Sequence, residues 1–400
     1  MKRLSATVAV VALAASAVLA EDPTLAELQA QLKELSAKIT KLEQQAAQKA
    51  EAPASDLAAR VEKLENGPEI PDWVSNTKIK GDLRYRYENR DVDGAVGGNR
   101  QRIRGRIGVY GEVNDYIDYG VRFSMSEDAT SSNNTLGDDF KKEGTYFDLF
   151  YADIHPEQFK GAHIIMGKMQ QPWLARTGLL WDSDLNPEGI AVTYSKELGE
   201  TTVFHANAGA FVVNDEDIAG DKGGDDVRLQ TAQLAIDTKV GDTKLQAGAS
   251  DYWFENMENA TFSSWKNNTP NGGFNIIEGF GSATIDAGGL PLKFYGQVAQ
   301  NTEAEVSNED TAYLVGVKLG KAKDPGTWEI GYNWREVGKD SVCGPFNDGD
   351  FNNGNTDSKG HKIGAKYQIS KNLQAGVTYL ITEGVAEDSD TFQADMIFKF

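Results

Sequence analysis

From Thr77 onward, apolar and polar side chains alternate with a period of two. Ile79, Gly81, Leu83, Tyr85 and Tyr87 alternate with Lys78, Lys80, Asp82, Arg84 and Arg86. Trp328, Ile330, Tyr332 and Trp334 alternate with Glu329, Gly331, Asn333 and Arg335, and Phe392, Ala394, Met396, Phe398 and Phe400 alternate with Gln393, Asp395 and Lys399. Successive residues of a strand point to opposite faces, so each segment carries one apolar face and one polar face. The pattern predicts strands over 77–89, 100–114, 116–126, 146–154, 162–169, 189–196, 201–213, 227–239, 243–254, 274–286, 291–300, 311–320, 326–337, 360–369, 373–382 and 391–400. A soluble sandwich could bury such faces against each other. The spacing points elsewhere: connections after odd-numbered strands are long and those after even-numbered strands are short. That alternation, with an even strand number, describes an all-β transmembrane barrel of 16 antiparallel strands in an outer membrane. Closure leaves no strand edge unsatisfied in lipid. On this topology Asn133, Asn134, Thr135, the 255–273 connection and Cys343 lie outside the cell, and the 197–200 and 240–242 turns are periplasmic.

Ahead of the barrel the period is different. Leu25, Leu32, Ile39 and Ala46 at one heptad position, with Leu28, Leu35 and Leu42 at another, predict an α-helical coiled coil. Asp22-Pro23 supplies an N-cap and a proline at the first helical position. Pro53 interrupts the repeat, Leu57, Val61 and Leu64 resume it, and Asn66-Gly67-Pro68 ends it. A stripe this narrow cannot bury itself on a lone helix, which predicts self-association; a hairpin turning at Pro53 is the alternative. Lys2 and Arg3 followed by the apolar run Ala6 to Leu19 and a small-residue ending at Ala20 form a signal peptide. The expected organisation is a signal peptide at 1–20, a periplasmic coiled-coil stem at 21–66, a linker at 67–76 and an outer-membrane β-barrel at 77–400.

Composition narrows the function. The 400 residues carry 60 acidic and 40 basic side chains, a formal charge of −20, which argues against nucleic-acid partners. No apolar run reaches the length of a membrane-spanning helix. Catalysis finds no constellation: there is no Gly-x-Ser-x-Gly, and His155 falls in a predicted turn without a partner, so the chain does not read as an enzyme. The single cysteine, Cys343, permits no internal disulfide and reads as a free thiol. No cofactor is expected, except that Asp182, Asp184 and Asn186 resemble the opening of a Ca²⁺ loop. Pro187 stands where that motif wants glycine, so a solvated acidic loop is the competing reading.

Six arginines, Arg84, Arg86, Arg102, Arg104, Arg106 and Arg122, fall on the polar face of the first three predicted strands. In a barrel that face looks into the lumen. Guanidinium groups so close repel unless counter-charges or water separate them, which predicts a wet channel with acidic partners opposite.

Several segments carry a family likeness. Met166-Gly167-Lys168 with Pro172, the block Leu180-Trp181-Asp182-Ser183-Asp184-Leu185-Asn186-Pro187-Glu188-Gly189, Gly81 to Tyr87, and Arg100 to Arg104 resemble the "putative porin" family of outer-membrane proteins. The resemblance covers about residues 70–400. It implies a passive diffusion channel for small hydrophilic solutes and ions, assembled as a homotrimer among outer-membrane lipid and lipopolysaccharide. It also makes the connection from Gln170 to Glu188, with Asp182, Asp184 and Glu188, the constriction loop facing the arginine wall. Charges about 10 Å apart there would interact by roughly 1.5 kcal/mol at an effective dielectric of about 20. Phe400, ending an aromatic strand, resembles the signal read by the barrel-assembly machinery. Members with a coiled coil ahead of the barrel resemble stalked porins, which implies a cell-wall contact through the stem. This chain departs from them in leaving no room for a wall-binding domain between Ala20 and the first heptad. The alternative reading is a structural tether or adhesin with a plugged lumen.

Overall fold

The computed structural model describes residues 29–45, 72–94, 96–126, 131–215, 225–385 and 387–400. The expected signal peptide at 1–20, both ends of the first heptad stretch, the second stretch around Leu57, Val61 and Leu64, and the first part of the linker lie outside the described residues. Residues 29–45 are helical. An ion pair between Glu34 and Lys38 at 2.8 Å supports the helix one turn apart, and Leu32, Leu35, Ile39 and Leu42 are exposed along it.

Sixteen antiparallel strands follow: β1 (Lys78–Val92), β2 (Gly98–Asn114), β3 (Ile117–Ser126), β4 (Gly144–Ile154), β5 (Ala162–Lys168), β6 (Glu188–Glu197), β7 (Thr202–Asn214) and β8 (Val227–Val240). The second half comprises β9 (Thr243–Glu255), β10 (Asn275–Asp286), β11 (Pro291–Asn301), β12 (Thr311–Gly320), β13 (Trp328–Val337), β14 (Ser358–Ser370), β15 (Leu373–Gly384) and β16 (Ser389–Lys399). Each pairs with its sequence neighbour, and β1 pairs with β16 from Asp82↔Lys399 to Val92↔Ser389, which closes the barrel. A two-residue strand, Asn134–Thr135, adds to β2 opposite Arg102 and Ile103.

The faces are inverted relative to a soluble protein. Leu83, Phe294 and Phe398 are 48%, 50% and 45% exposed, whereas Arg86, Glu278 and Arg335 are 4%, 1% and 0% exposed. The alternating pattern therefore puts the apolar stripe outside, where lipid would cover it, and the ionic stripe inside.

At the seam, the Gly81 N–H donates to the Phe400 carbonyl at 3.0 Å and the Phe400 N–H returns a bond at 3.1 Å. The Phe400 ring lies over Gly81 so closely that a Cβ there would sit 2.4 Å from it. The alternation of connection lengths is looser than the sequence suggests. The β1–β2 ladder runs up to Arg90↔Gly98 and β15–β16 to Thr382↔Ser389. Connections 93–97 and 385–388 are consequently shorter than 155–161 and 321–327. Strand pairing here continues into segments whose polar composition reads as loop.

Candidate functional site

On the inner face of β1 and β2, Arg84 stands directly opposite Arg104, and Arg86 opposite Arg102. Like charges in that relation repel. Carboxylates interleaved in the same wall answer them. Asp82 accepts from Arg104 Nη2 and from Arg106 Nε, both at 2.8 Å. Asp395 of β16 takes Arg86 in a two-pronged grip, with Nε at 2.7 Å and Nη2 at 2.9 Å. Glu88 accepts from Arg100 at 2.5 Å and lies 3.9 Å from Arg86 and 4.0 Å from Arg102. Arg122 donates to Asp148 of β4 at 2.5 Å, and Arg84 donates to Asn133. The counter-charges come mostly from the arginine wall itself and not from across the lumen. Strand parity marks Asp82, Glu88 and Asp395 as inward-facing, so these partners were readable in the sequence.

Two connections fold inward to meet this wall. In the 169–187 segment, Gln171 Nε2 donates to the carbonyls of Asp182 and Leu185 at 2.6 and 3.0 Å, tying the loop to itself. Its Trp173 and Trp181 rings pack 4.7 Å apart and lie 5.5 and 5.2 Å from Tyr252. The 338–357 segment brings Phe346 to 5.9 Å from Trp181. Asp182 N–H donates to the Phe346 carbonyl at 2.7 Å, and Asp182 Oδ2 accepts from Gly349 N–H at 2.9 Å. Arg335 of β13, fully buried, joins both loops. Its Nη1 donates to the Gly178 carbonyl at 2.8 Å, its Nη2 to Asp348 at 3.2 Å, and its guanidinium sits 4.3 Å over the Phe351 ring. Asp350 of the same loop accepts from Arg86 at 3.0 Å. The inner face is thus apolar where it receives the loops: Phe211, Leu229, Tyr252, Phe254, Ile276 and Leu314 are buried there. Uniform polarity of the lumen does not hold, because loop docking needs an apolar seat.

Of the acidic loop residues, Asp184 reaches the arginines. Its Oδ1 lies 3.9 Å from Arg104 Nη1 and 3.9 Å from Arg106 Nη1, and its Oδ2 accepts from Ser132 Oγ at 2.6 Å. Wall and loop touch at this point, without the 10 Å gap expected. Asp182 instead turns toward Gly349. Burial and the nearby Asp348 and Asp184 push its carboxyl up to about 7, against two backbone N–H donors that favour the charged form. Glu188 stays away from the arginines, at the edge of the cavity on the long-connection side. As the first residue of β6 it shares the face of exposed Ile190 and pairs with Lys168. The three candidate Ca²⁺ residues point to separate partners: Asp182 accepts from Gly349, Asp184 from Ser132, and Asn186 donates to Asp148 at 2.6 Å. Among the described residues no carboxylate or histidine cluster could hold a metal. Asn133 and Asn134 are buried, as is Cys343, because their loops fold inward; burial pushes the Cys343 thiol up.

Two cavities flank the 169–187 loop. The one on the long-connection side, about 580 Å³, is lined by Ser132, Asp148, Trp173, Trp181, Asp184 and Phe346, among others. The one on the short-connection side, about 520 Å³, is lined by Arg176, Lys293, Lys318, Glu329, Lys362 and Lys366, among others.

Comparison with known proteins bears on this architecture. The structure is similar to OprB of Pseudomonas putida in its high-pH form, with a TM-score of 0.57, 10% identity, and coverage of 86% of this chain and 96% of that one. It is also similar to OmpF of Salmonella typhi in complex with daunomycin, with a TM-score of 0.51, 13% identity, and coverage of 81% and 98%. These likenesses show the fold. No curated protein sequence matches the chain. The model of one family, described as "Putative porin", matches residues 92–276 and 272–400. The chain belongs to that porin family.

Proposed function

We propose that this chain is a passive diffusion channel of the outer membrane for small hydrophilic solutes and ions. The observation that carries the reading is the inverted barrel: a closed sheet with exposed apolar side chains outside and buried ionic ones inside. In this reading Arg84, Arg86, Arg102, Arg104, Arg106 and Arg122 form the basic wall of the constriction, with Asp184 as its acidic contact from the loop. The signal peptide exports the chain, and Phe400 serves as the assembly signal. Its place on the outer face at the closing seam supports that role. Outer-membrane lipid and lipopolysaccharide cover the outward apolar face. The stem lies in the periplasm, where exposed Leu32, Leu35, Ile39 and Leu42 favour helix association and leave the stem available to the cell wall. The homotrimer rests on the resemblance to general porins.

Single-channel recording in planar bilayers tests the reading. Stepwise open currents from the purified, heat-modifiable barrel are expected. A folded barrel that stays silent would instead favour a tether with a plugged lumen.

A further inference from the structure

The cavity at the short-connection end differs in charge from the arginine wall. Lys293 of β11, Lys318 of β12, and Lys362 and Lys366 of β14 all line it, and Arg176 reaches it from the 169–187 loop. Parity explains the convergence. Phe294, Val315 and Ile363 are exposed on the outer face, so the neighbouring Lys293, Lys318 and Lys362 point inward. Lys362 is paired, its Nζ 3.3 Å from Asp348. Among the described residues Lys293, Lys318 and Lys366 enter no ion pair. Lys318 Nζ sits 5.7 Å over the Tyr295 ring instead. The Arg176 guanidinium donates to backbone carbonyls of Trp173 and Gln171, which leave its charge uncompensated. Glu329 is the one carboxylate among the residues lining this cavity. Five cations thus face Glu329 and the more remote Asp348, in a chain whose total charge is −20.

We propose that this cavity is an anion subsite for small multivalent oxyanions, of which inorganic phosphate is the simplest. The inference rests on the channel reading above and assigns that channel a solute class. Clustered ammonium groups repel one another, and an anion held between them relieves several repulsions together. A dianion gains from each lysine about twice what chloride gains. Lysines also suit phosphate as compact point charges that need no fixed fork geometry. Rings of basic side chains are a recurring way to make a pore prefer anions. The Tyr295 hydroxyl and the Asn333 amide, both lining the cavity, add neutral donors. On the other side of the loop the arginines are already matched by Asp82, Glu88, Asp148, Asp184, Asp350 and Asp395, so they compete poorly for a mobile anion.

The test uses the full chain in planar bilayers bathed in KCl, with sodium phosphate added at neutral pH. Phosphate is expected to lower the chloride current in the wild type. The triple variant Lys293→Gln, Lys318→Gln, Lys366→Gln should need about tenfold more phosphate for half-block, a loss of about one decade in affinity. The variant Lys359→Gln, which removes a lysine on the outer face that pairs with Glu383, should keep the wild-type half-blocking concentration. Equal half-block in wild type and triple variant would overturn the subsite. A folded but silent barrel would fail the channel reading alone, and calorimetric titration of the detergent-solubilised barrel with phosphate would then decide the site. Heat of binding in the wild type that the triple variant loses supports it. No phosphate heat in the wild type, or equal heat in both proteins, overturns it.

Discussion

Asp182 holds the amide of Gly349 at 2.9 Å, and through that bond the two inward loops share one anchor. The carboxyl that makes it is pushed up to about 7 by burial and by Asp348 and Asp184. An acid whose pKa is raised on folding stabilises the folded arrangement below its unfolded value, near 4, and that contribution is lost as pH rises through about 7. Asp350 behaves oppositely. Burial opposes its ionisation, but Arg86 and Lys362 outweigh burial and hold it well below the usual carboxylate range. Its contribution is present above about 4 and is lost only in stronger acid. Between pH 5 and 7 Asp182 therefore dominates. Open-channel noise should increase across that interval as the loop contact weakens, and Asp182→Asn should flatten the pH dependence. Equal noise at both pH values in the wild type would count against the anchor.

Trp181 is the centre of the seat on which the loops rest, within 6.3 Å ring-centre distance of Trp173, Tyr252, Phe254 and Phe346. Truncating a buried aromatic of this kind costs about 3–5 kcal/mol. Because the barrel ladders do not depend on it, Trp181→Ala should leave a heat-modifiable barrel whose unitary conductance is raised by a displaced loop. Unchanged conductance would mean that the loop is held elsewhere, with Arg335 the first suspect.

Asp82 is shared by Arg104 and Arg106, so neutralising both arginines leaves its charge and that of Asp184 unmatched in the lumen. Arg104→Gln with Arg106→Gln should move the reversal potential toward cations, and Asp184→Asn should move it toward anions. Both shifts should shrink at 1 M salt, where the Debye length falls to about 3 Å. Unaltered selectivity in both variants, with current intact, would place this contact off the permeation path.

Gly81 has no room for a side chain: a Cβ would meet the Phe400 ring at 2.4 Å and the Arg106 carbonyl at 2.5 Å. Gly81→Val should therefore impair closure of β1 on β16 and yield exported, protease-sensitive protein with little heat-modifiable barrel. Deleting Phe400 should do the same by removing both hydrogen bonds of the seam's last pair. Normal barrel yield from either variant would show that closure does not need this contact.

Cys343 lies in a long connection yet is 3% exposed. Its thiol should resist a membrane-impermeant maleimide on intact cells and react after denaturation. Rapid labelling of the folded protein would show that the 338–357 loop swings out of the lumen.

The alternation of side chains carries the barrel. Each strand has only two faces, and Leu83, Tyr85 and Phe398 can satisfy theirs only outside if Arg84, Arg86 and Asp395 line the inside. That is a local, period-two property, so the sixteen strands and the inward arginines were legible residue by residue, as were Asp82 and Glu88 as their partners. What lay beyond the sequence was the path of the long connections. A loop has no periodicity, and nothing near Asp348, Asp350 or Cys343 marks the 338–357 segment as lumenal. Only tertiary packing brings Phe346 onto Trp181 and sets Gly349 against Asp182. For the same reason Glu188, adjacent in sequence to the acidic loop, falls on the outer face once β6 begins. The lysine cavity also belongs to the tertiary structure. Its cations lie on separate strands, each unremarkable alone, and barrel closure alone brings them around one space.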